Sequence, residues 1–162
     1  MPMLNLRETV CFTDEEKIAT LLSKTNFFSP EEVEIGISLL RENLVKGDSS
    51  GYYFLIGELE TQFVGYTCYG PIPGTINGFD LYWIAVDPKF QHTGYGATLL
   101  NITEQRVLAL GGQRLYAETS SIPLYAPTCA FYENHGFILE GRLPDYYAPL
   151  DDKMLYVKYL FK

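Results

Sequence analysis

Cysteine is scarce. Cys11, Cys68 and Cys129 are the only three in 162 residues, and no two of them form a CxxC pair. A disulfide framework or a zinc site needs more sulfur than this, or a Cys/His cluster, so neither is expected and no metal is assigned. Free thiols in a reducing compartment fit this usage. Basic residues are in deficit: 12 Lys and Arg stand against 20 Asp and Glu, for a formal net charge of −8. Phosphate backbones select Lys and Arg, so nucleic acid is not an expected partner. An acidic surface attracts cations, amines among them. No long apolar run follows the opening Met1-Pro2-Met3-Leu4-Asn5-Leu6-Arg7. Neither a signal peptide, a membrane span nor a membrane partner is therefore expected, and the expected location is the cytoplasm.

Hydrophobic residues make up 47% and charged residues 20%, as in an ordinary globular protein, and the length suits one domain over residues 1–162. Aromatics are abundant at 15%, with 13 tyrosines. Tyrosine joins apolar area to a polar tip, which suits a sheet core or a partly dry pocket.

Residues 3–12 read as an edge strand. Thr13-Asp14-Glu15-Glu16 has the form of a capping box opening a short helix to about Thr25. Ser29-Pro30-Glu31-Glu32 is a second start signal, with Ile35, Leu39, Leu40 and Leu44 as the apolar stripe and Gly47 as the stop. Residues 51–59 and 62–70 form a hairpin across Glu60-Thr61. Phe79–Val86 is apolar on both faces and reads as a central buried strand. A helix from Gly94 to about Leu110 places Leu99, Leu100, Val107 and Leu110 on one side. The strand Arg114–Thr119 then follows as a parallel neighbour. Pro127 opens a short helix that Gly136 stops. Strands Phe137–Gly141 and Met154–Leu160 close the chain across a Tyr- and Asp-rich loop. The order β-α-α-β-β-β-α-β-α-β-β describes an α/β fold: a mixed, mostly antiparallel sheet with one parallel pair and helices on both faces.

Gln91-His92-Thr93-Gly94-Tyr95-Gly96-Ala97 lies between the buried strand and a helix start. The first N–H groups of a helix have no intrahelical partner, and the helix dipole is positive there. Glycine lets the backbone approach an oxyanion, so a pyrophosphate is expected at this turn. A Walker loop is excluded by the lack of GxxxxGK, and a dinucleotide fingerprint by Leu99 at its third glycine. A coenzyme A loop remains: Val86-Asp87-Pro88, then Gln91, Gly94 and Gly96.

With these motifs and Phe131-Tyr132-Glu133-Asn134-His135-Gly136-Phe137, nearly the whole chain resembles the GNAT superfamily of acyl-CoA-dependent N-acetyltransferases. Tyr125-Ala126-Pro127-Thr128 and Tyr146-Tyr147-Ala148-Pro149-Leu150-Asp151-Asp152-Lys153 resemble a bacterial subgroup. The resemblance implies a GNAT-like fold whose parallel strands splay. It implies acetyl-CoA as cosubstrate, with the amides of Gln91–Ala97 on its pyrophosphate and the backbone of Ile84, Ala85 and Val86 pairing with the pantetheine arm. Tyr125 stands where many members carry a pantetheine-contacting Asn, and Tyr132 matches the family's general-acid tyrosine.

An alkyl ammonium has a pKa of about 10.4, so a general base must supply the neutral amine. Asp80, the one acid in the run FDLYWIAV, matches the base of the histone-acetyltransferase branch, though it is a methylene shorter. Glu118 matches the base of the ribosomal-protein N-terminal branch, and both remain open. Tyr146, Tyr147, Asp151 and Asp152 form a candidate acceptor-binding loop, with aromatic faces and acids for an ammonium. The expected acceptor is a small-molecule primary amine. A peptide N-terminus, a non-catalytic acyl-CoA-binding role and a homodimeric assembly are left open.

Overall fold

The computed structural model describes residues 1–161. Its elements follow the order β1 (Asn5–Arg7), α1 (Asp14–Lys24), α2 (Pro30–Lys46), β2 (Tyr53–Leu59), β3 (Gln62–Pro71), β4 (Gly78–Val86), α3 (Tyr95–Ala109), β5 (Arg114–Ser120), α4 (Ala126–Asn134), β6 (Ile138–Ala148) and β7 (Asp151–Tyr159). The strands are hydrogen-bonded in the order β1-β2-β3-β4-β5-β7-β6. All neighbouring pairs with a described register are antiparallel except β4 and β5, as expected. Among the described residues no helix is long and apolar enough to cross a membrane.

The chain divides into two compact units, and β4 and α3 contribute to both. The first unit comprises Met1–Gly70 and Tyr82–Gln105. Strand alternation sorts its core onto two faces. Phe54, Ile56, Tyr66 and Cys68 meet Ile18, Leu21 and Leu22 of α1 and Leu40 of α2. Leu55, Gly57 and Thr67 point the other way, toward α3. There a Cβ at Gly57 would stand 3.3 Å from Leu99, and the buried Thr67 and Thr103 hydroxyls are hydrogen-bonded at 2.7 Å.

Helix α2 starts as its sequence dictates. Ser29 accepts from the Glu32 amide at 3.2 Å, and Glu32 accepts from the Ser29 amide at 2.7 Å. Its stripe is corrected: Ile35 is exposed, and Gly36 and Ile37 join Leu40 in the interior. Gly36 is what lets the helix close on Trp83, whose ring would lie 3.3 Å from a Cβ there. The end of α3 is corrected likewise. Leu110 falls past the last helical residue and is exposed, while the unexpected Thr103 is buried.

Thr13 makes no capping hydrogen bond, contrary to expectation. Its backbone is already helical, and a capping side chain reaches the helix amides only from an extended residue. The fully buried Asp14 does the work instead. It accepts from the Cys11 amide at 2.8 Å and from both Arg7 nitrogens, at 2.8 and 2.9 Å, while Arg7 also reaches Glu58 at 3.0 Å. Burial raises the Asp14 pKa, but the Arg7 and Cys11 hydrogen bonds outweigh it and hold the carboxyl below its usual range. A carboxyl depressed on folding stabilises the protein above its unfolded pKa of about 3.9, and that contribution is lost as pH falls through the folded value. Asp14→Asn is therefore expected to cost about 2 kcal/mol at pH 7. Urea unfolding should show this difference holding steady down to about pH 5 and shrinking below about pH 4.

The second unit comprises Pro71–Leu81 and residues from Arg106 onward. Gly78, Phe79 and Asp80 of β4 pair in parallel with Arg114, Leu115 and Tyr116. The ladder ends at Asp80 and Tyr116, while β4 runs on to Val86 and β5 to Ser120. Leu115, Ala117, Tyr132, Phe137, Tyr156 and Val157 are buried. The expected loop at Tyr146–Asp152 is corrected to strand. β6 extends to Ala148 and β7 begins at Asp151, leaving a tight turn with Leu150 at φ 66°. Asp145 holds the turn by accepting from the Leu150 amide at 2.7 Å, so the polar residues sit on an extended hairpin.

Candidate functional site

The first unit carries the glycine-rich turn Gln91–Ala97. Past Val86, Asp87 accepts from the Lys89 amide at 3.0 Å and Pro88–Phe90 makes one 3-10 turn. The Gln91 side chain donates back to the Val86 carbonyl at 3.1 Å, which ties the loop to the strand end. The exposed His92 and Gly94 then adopt φ of 60° and 92°, and the latter is where glycine is required. Thr93 is anchored on the Phe90 carbonyl. The Tyr95 ring is buried and its hydroxyl donates to the Pro2 carbonyl at 3.0 Å. The Thr98 amide makes the return bond to the Gly94 carbonyl at 3.0 Å. The amides of Tyr95, Gly96 and Ala97 thus open the helix, where intrahelical acceptors are lacking and the dipole is positive. This turn fits a pyrophosphate. Ile84, Ala85 and Val86 end β4 just before it, and the Asp87 amide donates to the Val64 carbonyl at 2.8 Å.

The second unit carries Asp80, Glu118 and Tyr132, the candidate acid–base residues. Gly78 and Asp80 of β4, with Arg114, Tyr116 and Glu118 of β5, are spaced by two and line one cleft of about 600 Å³ together with Ile72, Thr75 and Leu155. Asp80 is half-buried there. Loss of hydration pushes its pKa up to about 6, the Glu118 charge adds to the rise, and Lys153 opposes it. Glu118, the other candidate base, is exposed, and its Oε2 is ion-paired with Lys153 Nζ at 2.7 Å.

Tyr132 points into a different environment. Its ring is buried against Phe131, Phe137 and Tyr156, at centroid distances of 5.8, 5.1 and 5.7 Å. Burial pushes its hydroxyl well above the usual tyrosine range, so it stays protonated at every physiological pH. The Tyr156 hydroxyl donates to Glu133 at 2.9 Å, which braces α4 on β7. Tyr125 ends the 3-10 turn Pro123–Tyr125 ahead of α4 and is half-buried.

The candidate acceptor residues lie on the β6–β7 hairpin. Tyr146 and Tyr147 are about half exposed and meet edge to face at 5.0 Å. Asp151 is engaged with the Ser120 hydroxyl. Asp152 accepts from Arg142 at 2.6 Å and from the Asp145 amide at 2.9 Å. Asp152 thus holds the hairpin, while Asp151 ties β7 to the end of β5. The residue missed from sequence is Lys153, whose ammonium lies 4.4 Å from the Tyr146 ring centre. It was legible as the third member of Asp151-Asp152-Lys153, but its partner lies across a strand pairing that no local pattern reveals.

A family model described as the acetyltransferase (GNAT) family matches residues 15–137. Among solved structures, a Desulfovibrio desulfuricans protein assigned to the GNAT acetyltransferases is 40% identical, with a TM-score of 0.96 over 98% of this chain and 100% of that one. The ribosomal-protein-S18-alanine N-acetyltransferase of Escherichia coli is 19% identical, with a TM-score of 0.79 over 99% and 96% of the two chains. The aminoglycoside 6'-N-acetyltransferase of Enterococcus faecium is also 19% identical, with a TM-score of 0.77 over 98% of each. Proteins with protein and small-molecule acceptors share this fold, so the fold leaves the acceptor undecided. A comparison with curated proteins gives no match.

Proposed function

Because the chain belongs to the GNAT acetyltransferase family, we propose that it moves the acetyl group of acetyl-CoA to a primary amine of a small molecule, with Asp80 as general base and Tyr132 as general acid. The single observation that carries the assignment is the Asp80 carboxyl, half-buried in the cleft with its pKa raised to about 6. A base of that strength is ionised at neutral pH yet holds a proton far better than a solvated aspartate. Glu118 instead has a lysine ammonium in contact.

The turn at Gln91–Ala97 holds the pyrophosphate through the amides that open α3, and Gly94 lets the backbone come close. The exposed edge of Ile84–Val86 pairs with the pantetheine arm by strand addition. Asp80 takes a proton from the acceptor ammonium, through a water because aspartate is short. The neutral nitrogen attacks the thioester carbonyl, and the carbon–sulfur bond breaks as the tetrahedral intermediate collapses. Tyr132 gives its proton to the departing thiolate and regains one from the nitrogen, which sheds its excess proton as the amide forms, so the products are the amide, coenzyme A and the proton held by Asp80.

Release of coenzyme A across a panel of small amines, amino acids and peptides tests the reading. Turnover on peptides alone would move the acceptor to protein N-termini. Tyr132→Phe is expected to lower kcat by about 10-fold to 100-fold while the coenzyme A-induced rise in Tm stays within about 1 °C. Unchanged turnover in that variant removes Tyr132 from the mechanism.

A further inference from the structure

An ammonium of the protein itself borders the cleft, ion-paired with the lining residue Glu118. Lys153 lies on β7, and the β5–β7 register sets it opposite Ser120 and sets Leu155 opposite Glu118. Residues two apart on a strand share a face, so Lys153 is the diagonal neighbour of Glu118. Its Nζ lies 2.7 Å from Glu118 Oε2 and 4.4 Å from the centre of the Tyr146 ring. Only 13% of its side chain is exposed, against 44% for Glu118. A carboxylate and an aromatic face around a desolvated ammonium are what a protein uses to recognise a cationic amine.

We propose that Lys153 is a specificity-determining residue that fills a second cation subsite in the acceptor cleft, so that the enzyme takes amines carrying one positive charge and disfavours diamines. This rests on the reading of Asp80 as the group that receives the acceptor amine. With Lys153 in place, the Glu118 charge is neutralised and Asp80 is the one cleft carboxylate not tied to a lysine. A second ammonium on the substrate meets Lys153 instead of an acid. Arg114, which donates to the Ile76 carbonyl, adds a further positive charge to the cleft lining. Asp152 does not offset this, since Arg142 is ion-paired with it.

The test compares n-pentylamine with the terminal diamine of the same length, in wild-type protein and in Lys153→Met, which keeps the stem and removes the charge. The readouts are kcat and KM for each amine and, separately, the thermal shift that each gives in the presence of coenzyme A. The ratio of diamine to monoamine kcat/KM is expected to rise about 10-fold in Lys153→Met, through a lower diamine KM, since one such charge contact is worth about a factor of 10. The gain should vanish in Lys153→Met with Glu118→Gln, because the freed carboxylate is then gone. Equal changes for both amines, or a gain that survives Glu118→Gln, overturn the proposal. If no amine turns over, the thermal shifts still decide it, because binding of the diamine must improve over that of the monoamine. The Asp80 reading fails by a different sign, an activity profile with no acid limb near pH 6, which leaves the amine ratio untouched.

Discussion

Asp80→Asn is expected to lower kcat/KM for the best amine by about 10²-fold to 10⁴-fold at neutral pH, the usual contribution of a positioned base. The wild-type profile should fall below about pH 6, where Asp80 takes up its proton, and this limb should be lost in the variant. Stability should move the opposite way. A carboxyl raised on folding binds its proton more tightly in the folded state, so ionisation penalises the fold as pH rises from about 4 toward 6 and above. Asparagine carries no such penalty, so the variant should be at least as stable as wild type at pH 7 and lose that advantage near pH 4. Loss of turnover with undiminished Tm separates a chemical role from a structural one. Glu118→Gln is the comparison: a greater loss there than in Asp80→Asn would transfer the base to Glu118.

Gly70→Ala is expected to destabilise the protein by about 3 kcal/mol or more, at the upper end of overpacking effects. A Cβ at this position in β3 would stand 1.8 Å from the Gly51 carbonyl oxygen and 3.0 Å from its carbon, with the Tyr82 ring at 3.4 Å. Two backbones approach here, so no side chain can swing aside, and Gly51 itself is held in the left-handed region at φ 78°. The result should be a large fall in the urea midpoint, or loss of folded protein on expression. Gly111→Ala is the control. Its φ is 89°, but a Cβ there meets nothing within 4 Å, so it should cost only about 1 to 2 kcal/mol of backbone strain. Equal losses at the two glycines would show that conformational freedom, not close approach, is what Gly70 supplies.

The sequence by itself determined the element order, the parallel β4–β5 pair and the glycine-rich turn that opens α3. Each is encoded by neighbours along the chain: the apolar run of β4, the Ser29–Glu32 box, and the glycines of Gln91–Ala97 that open a helix. It also named Tyr132, Asp80 and Glu118 as the groups to examine. Which of two carboxylates suits a base could not be read there, because a pKa depends on hydration and on charges brought near by folding. The tertiary structure half-buried Asp80 and raised its pKa, and it set a lysine from β7 against Glu118. It likewise turned the expected acceptor loop into a hairpin in which Asp145 and Asp152 hold the backbone. Local pattern encodes where a strand or helix begins, while the charge balance of a cleft is decided by residues far apart in sequence. The amide-lined turn is therefore written in the chain, and the cleft around Asp80 is made by the fold.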